Sequence, residues 1–399
     1  VSEGPVGVAV LGSTGSIGRQ ALEVLARHPD RFRVVGLAAR RLSPTLLDQA
    51  AATQPAVLGL TEADAGAIVE LAPATEILAG PDALAEIAAR DDVGIVLVGT
   101  SGVVSLVPVL AALRAGKVVA TANKETLVAG GHLVMAEARR LAAAGEAPDG
   151  PRASPLAWLR PIDSEHSAIW QCLIGEPRSS VRRLVLTASG GPFVDGPDDL
   201  SGVTPALALR HPTWTMGAKV TIDSATLANK GLEVIEARWL YDVPDAAIDV
   251  VIHRQSVIHS AVAFADGSIK AQLGTPDMRI PIQYALTHPD RAPADGPAVD
   301  LVDVGRLDFE RPDDRRFPAL GIVRAAGRTG SRASAALIAA DDVAVERFLA
   351  GSLDFPGIPR LLEAAVARYG EDADQAPGVD DIVALTAEVR AAYATGPIA

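Results

Sequence analysis

The feature that most constrains this chain is a glycine turn set between two segments of different period. Val6 to Leu11 is an apolar run of strand length, and Gly12-Ser13-Thr14-Gly15-Ser16-Ile17-Gly18 follows it. Arg19 to Arg27 then repeats apolar residues at helical spacing through Ala21, Leu22, Val24 and Leu25. Strand, glycine turn and helix in that order aim free backbone N–H groups and the positive end of a helix at one point, where a dinucleotide pyrophosphate can rest. The spacing is G-x-x-G-x-x-G and not the strict dinucleotide fingerprint, so the flanking strand and helix carry the reading against a merely structural tight turn. Short apolar runs at 33–37, 57–60, 95–98 and 117–120 alternate with helix-like segments such as 84–90 and 104–114. That alternation predicts a mostly parallel sheet covered on both faces, an α/β domain over residues 1–150.

Other features bound what surrounds this domain. At 399 residues the chain has room for two or three domains. A formal charge of −13 argues against nonspecific attraction to nucleic acid or to an anionic membrane, and leaves open a local basic pocket for a small anion. The stretch 93–113 is free of charge but broken by Gly99-Thr100-Ser101-Gly102 and Pro108, so it reads as buried strand, turn and helix and not as a membrane span. Residues 1–12 show no targeting pattern, and Cys172 is the single cysteine, so a reducing compartment, the cytoplasm, is expected.

The segment 145–161 is dense in Gly, Pro and Ala and reads as a linker. Beyond it, 181–188 and 248–274 have strand character, the latter folding back at Asp266-Gly267, which predicts an α+β domain over 151–290. Residues 291–316 read as a second linker. Helical patterns at 319–326, 333–349 and 358–369 predict a small helical domain over 317–399.

Several residues carry chemistry. After the second strand, where an acid usually holds the ribose hydroxyls of NAD, stand Ala38-Ala39-Arg40-Arg41; guanidinium groups there suit the 2′-phosphate of NADPH, and a solvated pair of arginines is the alternative. In Pro161-Ile162-Asp163-Ser164-Glu165-His166 two carboxylates at i and i+2 would project to one side of an extended segment and converge on a cation. Glu233 could complete an all-oxygen site of the kind Mg²⁺ or Mn²⁺ prefers; solvated surface acids are the other reading, and His166 fits a structural hydrogen bond better than a ligand. Ser189, Ser224, Asn229 and Lys230 lie in small polar contexts that suit a phosphate monoester, though each singly fits a cap or turn. His211-Pro212-Thr213-Trp214-Thr215-Met216-Gly217 is non-periodic and reads as a lid or as a buried tryptophan corner. His253 and His259 lie on a strand pattern and read as core or interface histidines.

Laid side by side, these segments resemble the 1-deoxy-D-xylulose 5-phosphate reductoisomerases. The blocks LGSTGSIG (11–18), ANKETLV (122–128), PIDSEH (161–166), TASGGPF (187–193), HPTWTMG (211–217), TIDSATLANKGLEVIEARWL (221–240), QSVIHS (255–260) and GTPDMRIPI (274–282) occur in order. The resemblance implies a Rossmann-like dinucleotide-binding domain, a central catalytic α+β domain and a C-terminal helical domain. It implies NADPH held by Thr14, Gly15, Ser16, Ile17, Ala39, Arg40, Arg41, Asn123, Lys124, Glu125 and Gly217, and Mg²⁺ or Mn²⁺ held by Asp163, Glu165 and Glu233. Ser164, Glu165, Ser189, His211, Ser224, Asn229, Lys230 and Glu233 would bind a phosphorylated ketose. Lys124, Ser164, His211, Trp214, Met216 and Lys230 would serve the catalysis, a rearrangement through retro-aldol cleavage and recombination, then hydride delivery. A homodimer with the Asp266-Gly267 hairpin near its interface is also implied. The chain departs from the pattern at Arg40, Ser167 and Arg254, and Ile338-Ala339-Ala340-Asp341-Asp342 stands where an asparagine-rich NAANE is expected.

Overall fold

The computed structural model describes residues 4–62, 75–145, 154–294, 296, 298–371, 376–396 and 398. Packing divides the chain into two compact units, each discontinuous in sequence: 1–123, 133–163 and 278–294 form the first, and 124–132, 164–277 and 295–399 the second. The sequence boundary drawn at 150/151 lies outside the described residues.

The first unit is built on seven parallel strands, β1 (Val6–Leu11), β2 (Phe32–Ala39), β3 (Val57–Leu60), β4 (Glu76–Ala79), β5 (Ile95–Val98), β6 (Val118–Thr121) and β7 (Leu159–Pro161). Their order is β4-β3-β2-β1-β5-β6-β7, so the chain changes direction across the sheet between β1 and β5. Open α/β sheets bind ligands at such a switch point, beyond the strand C-termini. The central strands are apolar on both faces, with Val8, Val10, Leu11, Leu97, Val98 and Val119 fully buried, as a sheet covered on both sides demands. Its helices are α1 (Ser16–Arg27), α2 (Pro44–Thr53), α3 (Ala83–Ala88), α4 (Leu106–Arg114), the later part of α5 (Lys124–Ala143) and, from further along the chain, α10 (Arg279–Thr287). α5 is interrupted at Gly130 (φ −124°, ψ 19°).

The parallel α/β expectation holds, and the 93–113 stretch is β5, a turn and α4. Among the described residues no helix is long and apolar enough to cross a membrane. One detail is corrected: the end of the 145–161 segment is not a linker but β7, paired to β6 through Leu159, Arg160 and Pro161. Three residues are too few to show a period, and an edge strand tolerates the proline that argued against one.

The second unit carries a mixed sheet of β8 (Val181–Ala188), β9 (Ile248–Ile252), β10 (Ile258–Phe264) and β11 (Ile269–Leu273) in the order β11-β10-β8-β9. β10 turns into β11 at the Asp266-Gly267 hairpin. Its helices are the start of α5, α6 (Ser164–Leu173), α7 (Pro205–Ala208), α8 (Ala218–Thr226), α9 (Ala228–Tyr241), α11 (Leu301–Val304), α12 (Pro318–Thr329), α13 (Ser331–Leu349), α14 (Gly357–Tyr369) and α15 (Val379–Tyr393). α13 is the central post: Ala333, Ala335, Ala336, Leu337, Ile338, Ala339 and Ala340 are all fully buried. Alanine on every face lets neighbouring helices approach α13 from several sides.

Candidate active site

In the first unit the glycine turn sits at the end of β1. Gly12 has φ 81°, and a Cβ there would stand 2.8 Å from the carbonyl carbon of Gly99, just past β5. A Cβ on Gly18 would stand 2.4 Å from the carbonyl oxygen of Gly12. The turn therefore folds flat against both β5 and the first turn of α1 only because these residues are glycine. Gly15 is the N-cap of α1, with no side-chain cap. The N–H groups of Ser16, Ile17 and Gly18 belong to the first turn and have no intrahelical acceptor, which makes this a ready cradle for an anion. Asn123, 1% exposed, donates from Nδ2 to the carbonyls of Thr100 and Gly102, both at 2.9 Å, and so braces the loop beyond β5.

Past Ala39, the last residue of β2, Arg40 and Arg41 share Glu62: Arg41 Nε lies 2.5 Å from one of its oxygens and Arg40 Nε 3.7 Å from the other. Their side chains are 73% and 61% exposed, so these pairs are weak and both guanidinium groups can be redirected to a ligand phosphate at little cost.

In the second unit the local fold corrects one expectation. The segment 161–166 is not extended, because α6 starts at Ser164, with Ala168, Ile169 and Cys172 on its buried side. Glu165 is thus in the first turn, where the helix dipole favours a carboxylate, and Asp163 immediately precedes the helix, as the last residue of the first unit. Ser164 Oγ donates to Glu165 Oε2 at 2.6 Å.

The other carboxylate is Glu233 on α9, 1% exposed, and two lysines converge on it. Lys230 Nζ lies 2.8 Å from Glu165 Oε1 and 2.5 Å from Glu233 Oε2. Lys124 Nζ, from the start of α5, lies 3.2 Å from Glu233 Oε1 and 2.6 Å from Asn229 Oδ1. Asn229 Nδ2 donates to Glu233 Oε1 at 2.6 Å. Burial opposes the charge on Lys230, but Glu165 and Glu233 outweigh it and hold the ammonium above its ordinary range. The result is a buried, near-neutral knot of two carboxylates and two ammonium groups. Carboxylates already gathered around a cation, with hard oxygen donors, fit Mg²⁺ or Mn²⁺. Residues 227–233 are held in place by Leu227, which adopts the left-handed conformation (φ 60°, ψ 11°) between α8 and α9.

Ser189 follows β8, and the next two residues, Gly190 (φ 89°) and Gly191 (φ 67°), turn the chain against α8; a Cβ on Gly191 would lie 2.9 Å from the carbonyl oxygen of Ser224. His211 Nε2 is 3.0 Å from Ser189 Oγ. His211 Nδ1 accepts from the backbone N–H of Thr213 at 3.1 Å and of Trp214 at 2.8 Å, so the proton of the neutral ring is on Nε2 and donates toward Ser189. Burial lowers the pKa of His211, in keeping with a neutral ring. Trp214 stands 6.1 Å, ring to ring, from His259. Met216 is half-buried, and Gly217 is the N-cap of α8.

The histidines read as core or interface are both buried. His253 lies just past β9 and not on a strand; its Nδ1 is 2.8 Å from the carbonyl of Asp308, and its ring stacks on Phe309. His259 lies on β10. His166 pairs with Glu236, Nε2 to Oε2 2.9 Å, in full burial.

Sequence reasoning missed a second cluster. Lys219 Nζ meets Asp223 Oδ2 at 2.8 Å, Asp341 Oδ2 in direct contact, and Asp342 Oδ1 at 3.7 Å. The i,i+4 spacing of Lys219 and Asp223 was a usable signal; nothing local announces that α13 supplies the other two acids.

A parallel α/β sheet with a glycine cradle at its switch point, in one chain with a buried carboxylate–ammonium centre, defines a dinucleotide-dependent oxidoreductase. Comparison with known proteins gives the particular family. Family models described as 1-deoxy-D-xylulose 5-phosphate reductoisomerase, its C-terminal domain, and DXP reductoisomerase C-terminal domain match residues 8–131, 159–241 and 273–392. The 1-deoxy-D-xylulose 5-phosphate reductoisomerase of Symbiobacterium thermophilum is 49% identical over 98% of this chain and 99% of its own length. That of Pelotomaculum thermopropionicum is 45% identical over 94% of each. Among solved structures, the Zymomonas mobilis enzyme in complex with NADPH superposes with a TM-score of 0.84 at 37% identity, over 98% of both chains. A DOX-P reductoisomerase in complex with NADPH, fosmidomycin and magnesium gives 0.87 at 36% identity, over 97% of both. The chain belongs to the 1-deoxy-D-xylulose 5-phosphate reductoisomerase family.

Proposed function

We propose that Asp163, Glu165 and Glu233 form the metal site of an enzyme that converts 1-deoxy-D-xylulose 5-phosphate to 2-C-methyl-D-erythritol 4-phosphate. The reaction is an intramolecular rearrangement followed by hydride transfer from NADPH, and it supplies isoprenoid synthesis. Family membership over nearly the whole chain carries the activity. The buried knot around Lys230 supports this choice of site.

A divalent cation held by Asp163, Glu165 and Glu233 would supply Lewis acidity to the substrate, and NADPH would supply the hydride. The chain's own residues do the rest. Glu165 and Glu233 offer oxygens already oriented by Ser164, Asn229, Lys124 and Lys230. Asp163 adds a third carboxylate two residues before Glu165. Ser189, Ser224, the Nε2–H of His211, the Lys230 ammonium and the Asn229 amide offer hydrogen-bond donors to a phosphate. The segment 211–217, with Trp214 and Met216, shields the rearranging fragments from water. Thr14, Gly15, Ser16 and Ile17 hold the pyrophosphate, and Arg40 and Arg41 the 2′-phosphate. Asn123, Lys124, Glu125 and Gly217 complete the cofactor contacts.

The chain works as a homodimer in the cytoplasm. The dimer reading is supported by β11, an edge strand that leaves Ile269 64% exposed next to the hairpin, and the compartment by the single buried cysteine. Loss of NADPH absorbance with 1-deoxy-D-xylulose 5-phosphate, with and without Mg²⁺ or Mn²⁺, tests the function together with identification of the product. Metal-dependent oxidation giving the branched methylerythritol phosphate is expected. NADPH binding without turnover of this substrate would instead identify an oxidoreductase acting on a related ketose phosphate.

A further inference from the structure

Lysine is out of place in the first turn of a helix, where the dipole repels a cation. Yet α8 carries Lys219 there, two residues after Gly217, with no acid in that turn and no side-chain cap. What holds the ammonium is a buried acidic set: Asp223 one turn along α8, and Asp341 and Asp342 from α13. Asp223 and Asp341 are 2% and 1% exposed. Among the described residues the Oδ1 atoms of both are buried and accept no hydrogen bond, so each reaches the rest of the protein mainly through Lys219. The contact therefore ties two helices together at one point, the start of α8. On one side of that point lies the 211–217 segment, and about one and a half turns on lies Ser224.

We infer that Asp341 is a positioning residue for substrate binding: through Lys219 it fixes the first turn of α8, and with it the end of the 211–217 segment and the Ser224 hydroxyl. Removal of its charge loosens that turn without touching any group that meets the substrate. The acids outnumber the lysine, and Glu125 adds to their field. Burial, reinforced by Asp341 and opposed by Lys219, pushes Asp223 up to about 8, and of the three acids Asp341 makes the closest contact with Lys219. Burial likewise raises Asp342 to about 6.

This inference rests on the reading that Ser224 and residues 211–217 serve the phosphorylated substrate, so the experiment tests both. Steady-state kinetics are compared for the wild type, Asp341→Asn, Asp341→Glu, Asp342→Asn and Ser224→Ala, with melting temperatures alongside. Asp341→Asn keeps the side-chain shape and is expected to raise KM for 1-deoxy-D-xylulose 5-phosphate about tenfold or more, the scale of a small misplacement of binding groups. KM for NADPH, whose proposed contact with this turn is Gly217 alone, rises by less than KM for the substrate, Asp341→Glu recovers most of the loss, and Asp342→Asn shifts the substrate KM in the same direction by less. Hydrogen exchange rises across 211–226 in Asp341→Asn. A wild-type substrate KM in Asp341→Asn overturns the inference, even where its melting temperature falls, because that is the signature of a merely structural contact. If Asp341→Asn cannot be purified folded, a wild-type KM in Asp342→Asn overturns it. Ser224→Ala separates the two readings: an unchanged KM there refutes the assignment of Ser224, whereas a raised KM beside a normal Asp341→Asn refutes only the role of Asp341.

Discussion

Glu233→Gln offers the sharpest test of the carboxylate knot. Glu233 is 1% exposed and receives Lys230 Nζ at 2.5 Å, Lys124 Nζ at 3.2 Å and Asn229 Nδ2 at 2.6 Å. Glutamine keeps the length of the side chain and one acceptor oxygen, but it turns the other oxygen into a donor that faces an ammonium or an amide. Lys230 then keeps Glu165, and Lys124 loses its contact with the charge of Glu233. A hydrogen bond to a charged group is worth about 1.5–3 kcal/mol, and breaking a buried pair costs about 3–5 kcal/mol. Lys230 keeps Glu165 at 2.8 Å, which limits the damage, so a loss of about 2–4 kcal/mol is expected. For a body of this size that lowers the melting temperature by roughly 5–15 °C. Mn²⁺ affinity should fall at least about tenfold, because a charged oxygen donor is gone. The assay is thermal unfolding with and without Mn²⁺, and Glu236→Gln is the control. Glu236 is equally buried, but it pairs with His166, so its loss should lower stability and leave the Mn²⁺ shift intact. A Glu233→Gln protein with wild-type melting temperature and wild-type stabilisation by Mn²⁺ would refute the reasoning.

Three further outcomes are expected. Gly18→Ala places a Cβ 2.4 Å from the carbonyl of Gly12, and should weaken NADPH binding in a fluorescence titration while leaving Mn²⁺ binding unchanged. Arg40→Ala with Arg41→Ala should raise KM for NADPH about tenfold or more, through lost charge-assisted contacts, and leave KM for NADH nearly unchanged; equal effects on both would show that the arginines do not read the 2′-phosphate. Asp223 has a folded-state pKa near 8, raised from the ordinary carboxylate value, so the folded chain holds a proton that the unfolded chain releases near pH 4. Stability should therefore fall as pH rises through about 4 to about 8, and Asp223→Asn should flatten the decline in melting temperature between about pH 6 and pH 8.

How far the sequence could be read depended on how local each determinant is. Strands and helices of the first unit follow from apolar period and glycine placement within a few residues, and β1, β2, β3, β5 and β6 lie where those patterns put them. β4 escaped because it is mostly exposed and starts with a charge, and β7 because three residues show no period. The start of α6 was misjudged because its first turn, Ser164-Glu165-His166, is polar; the helix shows itself only further on, through Ala168, Ile169 and Cys172. Individual site residues were legible as motif blocks, but their pairing was not. Nothing near Lys230 in sequence says that it bridges Glu165 to Glu233, 65 residues away from the first of these. Asp341 lies 122 residues from Lys219, and only the packing of α13 against α8 joins them.

Leu227 limits how this part of the chain can change over time. A single left-handed leucine ends α8 and starts α9, so the angular position of every side chain from Asn229 to Glu233 is counted from that one residue. Each residue of α-helix turns the next by about 100°, so one residue inserted or deleted between Leu227 and Glu233 would swing Glu233 away from Lys124 and Lys230 altogether. The centre can be altered by exchanging side chains, but not by lengthening or shortening the chain. Variants with inserted or deleted residues should be found in surface turns such as Ala115-Gly116, and never within 227–233.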